Sequence, residues 1–162
     1  MRLIEILFLE FLVDMKVLFI CWSNAERSQV AEVLFNFYSK KNKAFSAGIN
    51  VENEKAVGDH PGRIMSELML GMGRTEISRK RRKQITEAMA KRADLIFVML
   101  WKGKREKRLP EYVRNSKKTT FWKLSPIDLR VYKTFPPYTY KYHAQWVLEI
   151  EQHVKDLVKE VG

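Results

Sequence analysis

The stretch VLFICWSNAERSQVAEVLF, Val17 to Phe35, holds the chain's single cysteine, and an arginine follows it after five intervening residues. Cys21 and Arg27 at that spacing can enclose one tetrahedral anion. The backbone N–H groups of Trp22, Ser23, Asn24, Ala25, Glu26 and Arg27 would contact its oxygens, and the Arg27 guanidinium would close the ring with a two-pronged hydrogen bond. The same positive field favours the thiolate form of Cys21. Ser28 is placed to donate a hydrogen bond to the sulfur. Asn24 is among the few non-glycine residues that tolerate the left-handed backbone a tight anion loop needs. Glu26 is the odd member: its carboxylate either pairs with Arg27 or points outward and leaves only its N–H in the loop. A lone cysteine is also a small core hydrophobe, and spacing alone leaves that reading open.

The position of the loop adds to the case. KVLFI, Lys16 to Ile20, is short and apolar, as a buried parallel strand is. A helical pattern begins near Ser28, with Val30, Ala31, Val33, Leu34, Phe37 and Tyr38 on one face and Lys40 and Lys41 at its end. A loop between a strand's carboxyl end and a helix N-terminus aims several N–H groups at one small volume, which suits an anion.

Further along, AFSAG (44–48) reads as a second strand, followed by a surface loop. Pro61 opens a helix carrying Ile64, Met65, Leu68 and Met69, stopped by Gly71 and Gly73. Thr86 is an N-cap for a short helix to Arg92. ADLIFVML (93–100) is a third strand, Glu106–Arg114 a short helix cut by Pro110, and TTFWKL (119–124) a fourth strand. A proline- and tyrosine-rich loop, Ser125 to Tyr142, precedes a last helix from about His143 to Val161. The alternation predicts an α/β fold: a three-layer α/β/α sandwich around a small parallel sheet of about four strands, in one domain with right-handed crossovers.

Composition sets the outer bounds. With 46% hydrophobic and 30% charged residues the chain has a globular profile. One cysteine rules out an internal disulfide and a cysteine-rich zinc site, and it fits a reducing, cytoplasmic setting. His60, His143 and His153 lack metal-ligand spacing, so neither a metal nor another cofactor is expected. A net charge of +11 favours anionic partners. Much of it lies in SRKRRKQ (78–84) and WKGKREKRL (101–109), which read as solvated surface. Residues 1–14 are apolar but interrupted by Glu5, Glu10 and Asp14, too short and acidic for a membrane span. They form an N-terminal extension, either an added element or residues upstream of a true start at Met15.

The segment around Cys21 resembles the active-site segment of the low-molecular-weight protein tyrosine phosphatase family, whose fold is shared with thioredoxin-coupled arsenate reductases. The family pattern Cys-x-x-Asn-x-x-Arg-Ser is met by Cys21, Asn24, Arg27 and Ser28, followed by Ala31 and Glu32. FSAG, RKQIT, ADLIFVM and FWKL extend the likeness from Met15 to the C-terminus, so 15–162 reads as the phosphatase-like domain.

The resemblance implies a metal-independent phosphomonoesterase. Cys21 would attack phosphorus in line and form a cysteinyl-phosphate, with Arg27 and the loop amides stabilising the equatorial oxygens. Trp22 would wall the substrate cleft, and Tyr138 and Tyr140 would lie near its mouth. Phosphorylated proteins or small phosphate esters are the implied substrates, with phosphate or sulfate as simple ligands. The family's general acid is an aspartate in Asp-Pro. Here that dipeptide reads Ser125-Pro126, and Asp128, the one carboxylate between Ser125 and Tyr142, is the candidate acid. Two other readings stay in play. One is a catalytically weak or inactive relative that binds phosphate or phosphoproteins. The other is a nucleic-acid binder using the basic runs, although no nucleic-acid-reading motif is present. The absence of further cysteines disfavours a thiol relay within the chain.

Overall fold

Strand β1, Lys16–Cys21, is buried along all but its first residue and apolar on both sides. A strand of that kind needs cover on two faces. A computed structural model, which describes residues 14–53, 62–100, 106–126 and 136–162, provides it. The N-terminal extension up to residue 13, His60, Pro61 and Asp128 lie outside the described residues.

In chain order, β1 is followed by α1 (Arg27–Tyr38), β2 (Lys43–Gly48), α2 (Arg63–Gly71), a 3-10 turn (Thr75–Arg79), α3 (Glu87–Arg92) and β3 (Leu95–Val98). A second 3-10 turn (Glu106–Arg108), α4 (Glu111–Arg114), β4 (Thr119–Phe121) and α5 (Pro136–Val161) complete it. The sheet runs β2-β1-β3-β4, all parallel. Val17 and Phe19 pack into a cluster with residues of α1, α2 and α5, including Leu34, Met65 and Ile150. Leu18 and Ile20 point the other way, to Ala90 of α3 and Val113 of α4. Period-two alternation thus feeds two cores, and the three-layer α/β/α sandwich expected from the sequence is what forms. Each such fully buried side chain contributes on the order of 1.5–3 kcal/mol.

Element ends differ from the sequence reading in informative ways. Helix α1 starts one residue earlier, at Arg27, and ends at Tyr38 because Ser39 is extended (φ −85°, ψ 125°); its last turn holds no basic residue. Thr86 caps α3 as expected, its hydroxyl accepting from the Met89 amide at 3.2 Å. Pro110 separates a 3-10 turn from α4 instead of interrupting one helix. The largest difference is α5, which begins at Pro136 and not near His143. Pro136 and Pro137 stand in its first turn, where N–H groups have no helical partner and the fixed φ of proline is suitable. Tyr138 and Tyr140 therefore belong to a helix, not a loop.

Candidate active site at the end of the first strand

Cys21 is the last residue of β1, paired in register with Gly48 of β2 and 1% exposed. Its sulfur lies 3.0 Å from the Ser28 hydroxyl on the first turn of α1. The residues between them form a tight turn whose one left-handed member is Asn24 (φ 51°), the only non-glycine residue with positive φ among the described residues. That backbone is held from three sides by the Asn24 side chain. Nδ2 donates to Ser28 Oγ at 2.8 Å and to Ser46 Oγ at 3.0 Å, while Oδ1 accepts from the Lys83 amide at 2.8 Å.

Five carbonyls of the turn are engaged. Cys21 O accepts from the Ile49 amide (3.2 Å), Trp22 O from Asn50 (3.0 Å), Ala25 O from Gly62 (2.7 Å) and Glu26 O from Val30 (3.0 Å). Ser23 O accepts from Arg82 Nε at 2.8 Å. In a trans peptide the following N–H points opposite to the carbonyl, and no described peptide bond is cis. The amides of Trp22, Ser23, Asn24, Glu26 and Arg27 therefore face away from those partners. Together with the N-terminus of α1 they present donors and a partial positive charge, which is what an oxyanion requires.

Gly48 makes the close fit possible. A Cβ there would stand 2.7 Å from the Asn24 nitrogen and 2.8 Å from the Ser23 carbonyl carbon. Gly48 also bonds outward to the basic run, its amide to Lys83 O and its carbonyl to the Ile85 amide, each at 2.8 Å. The run 78–84 is thus more than the solvated surface its composition suggested. Lys80 forms an ion pair with Glu32 of α1, a residue 4% exposed, and Lys83 Nζ lies 3.9 Å from the same carboxylate. Glu32 also accepts from Ser46 Oγ at 2.6 Å. These are the charged and hydrogen-bonding partners that a buried carboxylate behind the turn requires.

Arg27 is largely buried, its guanidinium carbon 5.2 Å from the centre of the Trp146 indole of α5. It lines a cavity of about 390 Å³ with Met99 and Leu100, which follow β3, with Trp122 to Pro126, which follow β4, and with Trp146. The cavity thus lies at the carboxyl ends of three adjacent strands, the usual ligand position in an open parallel sheet. Trp122 is set there by aromatic packing, 4.6 Å from Phe97 and 5.3 Å from Phe19 between ring centres. Trp22 is buried to 7% exposure and carries the Arg108 guanidinium 5.7 Å above its ring.

The Glu26 carboxylate turns to α5, where Oε1 lies 3.0 Å from Nε2 of the fully buried His143. Of the family's tyrosine positions, the Tyr140 hydroxyl donates to Glu67 of α2. That bond pushes the phenol up, and together with Arg63 it holds the Glu67 carboxyl below the ordinary glutamate range. Sequence reasoning did not assign Ser46, Gly48, Lys80, Arg82, Trp146 or His143 to this neighbourhood. Only Ser46 and Gly48, as part of FSAG, and Arg82, as part of RKQIT, carried a signal.

The model of the low molecular weight phosphotyrosine protein phosphatase family matches residues 16–162. The chain belongs to that family. No curated protein matches it by sequence. Among solved structures, it is similar to Vibrio vulnificus Wzb in complex with benzylphosphonate, with 21% identity and a TM-score of 0.73 over 91% of this chain and 99% of that one. It is also similar to a low molecular weight protein tyrosine phosphatase from T. tengcongensis (22% identity, TM-score 0.69, 91% and 99% covered). An arsenate reductase from Archaeoglobus fulgidus gives 27% identity and a TM-score of 0.61 over 88% of this chain and 98% of that one. Family and fold thus agree with the resemblance read from the cysteine segment. Among the described residues, no helix is long and apolar enough to cross a membrane, and no group of three His, Cys, Asp or Glu is arranged to hold a metal ion.

Proposed function

We propose that the protein is a phosphomonoester hydrolase of the protein tyrosine phosphatase type, acting through a cysteinyl-phosphate. The Cys21 thiolate attacks phosphorus in line as the bond to the leaving oxygen breaks. Ser28 donates to the sulfur, and the amides of residues 22–27 with the Arg27 guanidinium hold the equatorial oxygens. Asp128 donates the proton to the leaving oxygen; this role rests on its being the one carboxylate between Ser125 and Tyr142. Water then releases phosphate. The reading is carried by one observation above all: the sole cysteine sits 3.0 Å from Ser28 Oγ at the base of a turn whose carbonyls are bonded away from it.

The cavity beside Arg27 supports an aromatic phosphate ester as the substrate class. Arg27 stands beside two indoles, Trp122 and Trp146, which suits a tetrahedral dianion on an aromatic ring. The Vibrio vulnificus relative binds such a ligand, benzylphosphonate. Arsenate has the same tetrahedral shape, but a chain with one cysteine has no second thiol of its own to complete a reduction relay.

Hydrolysis of p-nitrophenyl phosphate tests the proposal. Turnover inhibited by vanadate and abolished by Cys21→Ser is the expected result. Phosphate binding without turnover would instead leave a binding protein. Salt-sensitive nucleic-acid binding indifferent to Cys21→Ser, with no hydrolysis, would shift the function to the basic runs.

A further inference from the structure

Ser125 follows β4, and Glu149 stands on α5. The Ser125 hydroxyl donates to Glu149 Oε1, and the Ser125 amide donates to Oε2 at 2.8 Å. Gln145, one helical turn earlier, donates to Oε1 at 3.1 Å. The Ser125 carbonyl accepts from Trp146 Nε1 at 3.0 Å, and the same indole lies beside the Arg27 guanidinium. Every polar group of Ser125 is therefore fixed, and Ser125 and Arg27 line one cavity.

Burial pushes the Glu149 carboxyl up, but the bonds from Ser125 and Gln145 and the nearby His153 outweigh it and hold the group below the ordinary glutamate range. Glu149 is therefore an ionised acceptor at neutral pH. A serine hydroxyl that donates to a fixed carboxylate keeps its own lone pairs for a second donor. In a cavity that also holds a guanidinium suited to a phosphoryl group, a water molecule is the chemically useful second donor.

We propose that Ser125 and Glu149 form a proton relay for the second half-reaction, the hydrolysis of the cysteinyl-phosphate. The inference rests on the phosphatase reading above. The water oxygen bonds to phosphorus as the phosphorus–sulfur bond breaks, and the electron pair returns to Cys21 as thiolate. One water proton passes to Ser125 Oγ, whose own proton passes to Glu149 Oε1. Phosphate leaves, and Glu149 returns the proton to solvent. Ser125 touches the reacting water; Glu149 positions and polarises it through the hydroxyl.

Rapid-quench turnover of p-nitrophenyl phosphate by the full chain tests the relay in wild type, Glu149→Gln, Ser125→Ala and Ser125→Thr. Glu149→Gln and Ser125→Ala are expected to keep a burst of nitrophenolate equal to the enzyme. Their steady rate should fall by about 10²-fold and phosphocysteine should accumulate. Ser125→Thr, which keeps a hydroxyl, should recover most of the steady rate. Vanadate affinity should not change, since the relay takes no part in anion binding. A steady rate unchanged in both loss variants overturns the relay. So does a lost burst with weakened vanadate affinity, which would mean the pair only holds Arg27 in place. If Glu149→Gln does not fold, Ser125→Ala decides alone. A wild type that forms no phosphoenzyme overturns the phosphatase reading and the relay together, whereas an active wild type with unaffected variants overturns the relay only.

Discussion

The backbone amide of Lys83 donates to the side-chain oxygen of Asn24 at 2.8 Å. That single bond ties a segment of lysine and arginine to the turn beside Cys21, and it uses the one atom of Asn24 not already donating to Ser28 and Ser46. The turn is therefore rigid by construction: its left-handed residue also provides its cross-links.

Asn24→Ala should be costly for two separate reasons. It removes the acceptor of the Lys83 amide and one donor to each of the Ser28 and Ser46 hydroxyls, and it keeps a β-carbon at φ 51° without the amide side chain that lets asparagine tolerate left-handed backbone. We expect a loss of about 3 kcal/mol, or roughly 6–12 °C in melting temperature. Asn24→Gly loses the same bonds without the backbone strain and should lose less. Thermal melts of both variants check this; a glycine variant no more stable than the alanine variant would remove backbone strain from the account.

Glu26 and His143 come from positions 117 residues apart and meet at 3.0 Å, with His143 fully buried. His143→Ala leaves the carboxylate next to Arg27 without this partner and should destabilise the protein by about 1–3 kcal/mol. In a double-mutant cycle with Glu26→Gln, the second substitution should cost much less than it does alone. Strict additivity in urea denaturation would show that the contact contributes nothing.

Glu149 makes stability depend on pH on the acid side. Its folded-state carboxyl titrates below the ordinary value of 4.5, so the unfolded chain takes up the proton more readily. The stabilisation is full above the ordinary value and is lost as pH falls through the lower, folded one. Glu149→Gln should flatten that part of the profile of melting temperature against pH. A variant profile parallel to wild type between neutrality and pH 3 contradicts the assignment.

Asp128 is tested by leaving-group dependence. With phenyl phosphate, whose leaving oxygen needs a proton, Asp128→Asn should slow turnover by about 10²–10⁴-fold. With p-nitrophenyl phosphate the loss should be much smaller, because nitrophenolate departs without help. Equal losses on both esters would assign Asp128 a role other than proton donor.

What the sequence disclosed depends on how local each feature is. Cys21, Asn24, Arg27 and Ser28 fall within one strand–turn–helix, so their types and spacing carry the geometry directly. β3 was legible as an unbroken apolar run. The start of α5 was not, because Pro136 and Pro137 act as breakers everywhere except a helix's first turn. Nor were the inward contacts of Lys80 and Arg82, since a basic run is ordinarily solvated and only the fold brings Glu32 and Ser23 to it. Glu26–His143 and Ser125–Glu149 are likewise contacts between α5 and the segments that follow β1 and β4, distant in sequence, and no local pattern announces them.

The central claim is that Cys21 becomes covalently phosphorylated during turnover. Acid quenching within the first turnover of p-nitrophenyl phosphate, followed by mass spectrometry of the peptide containing Cys21, measures it directly. The account expects one phosphoryl group on the Cys21 sulfur, its formation blocked by vanadate and absent in Cys21→Ser. Hydrolysis that proceeds with an unmodified Cys21, or at an undiminished rate in Cys21→Ser, would contradict it.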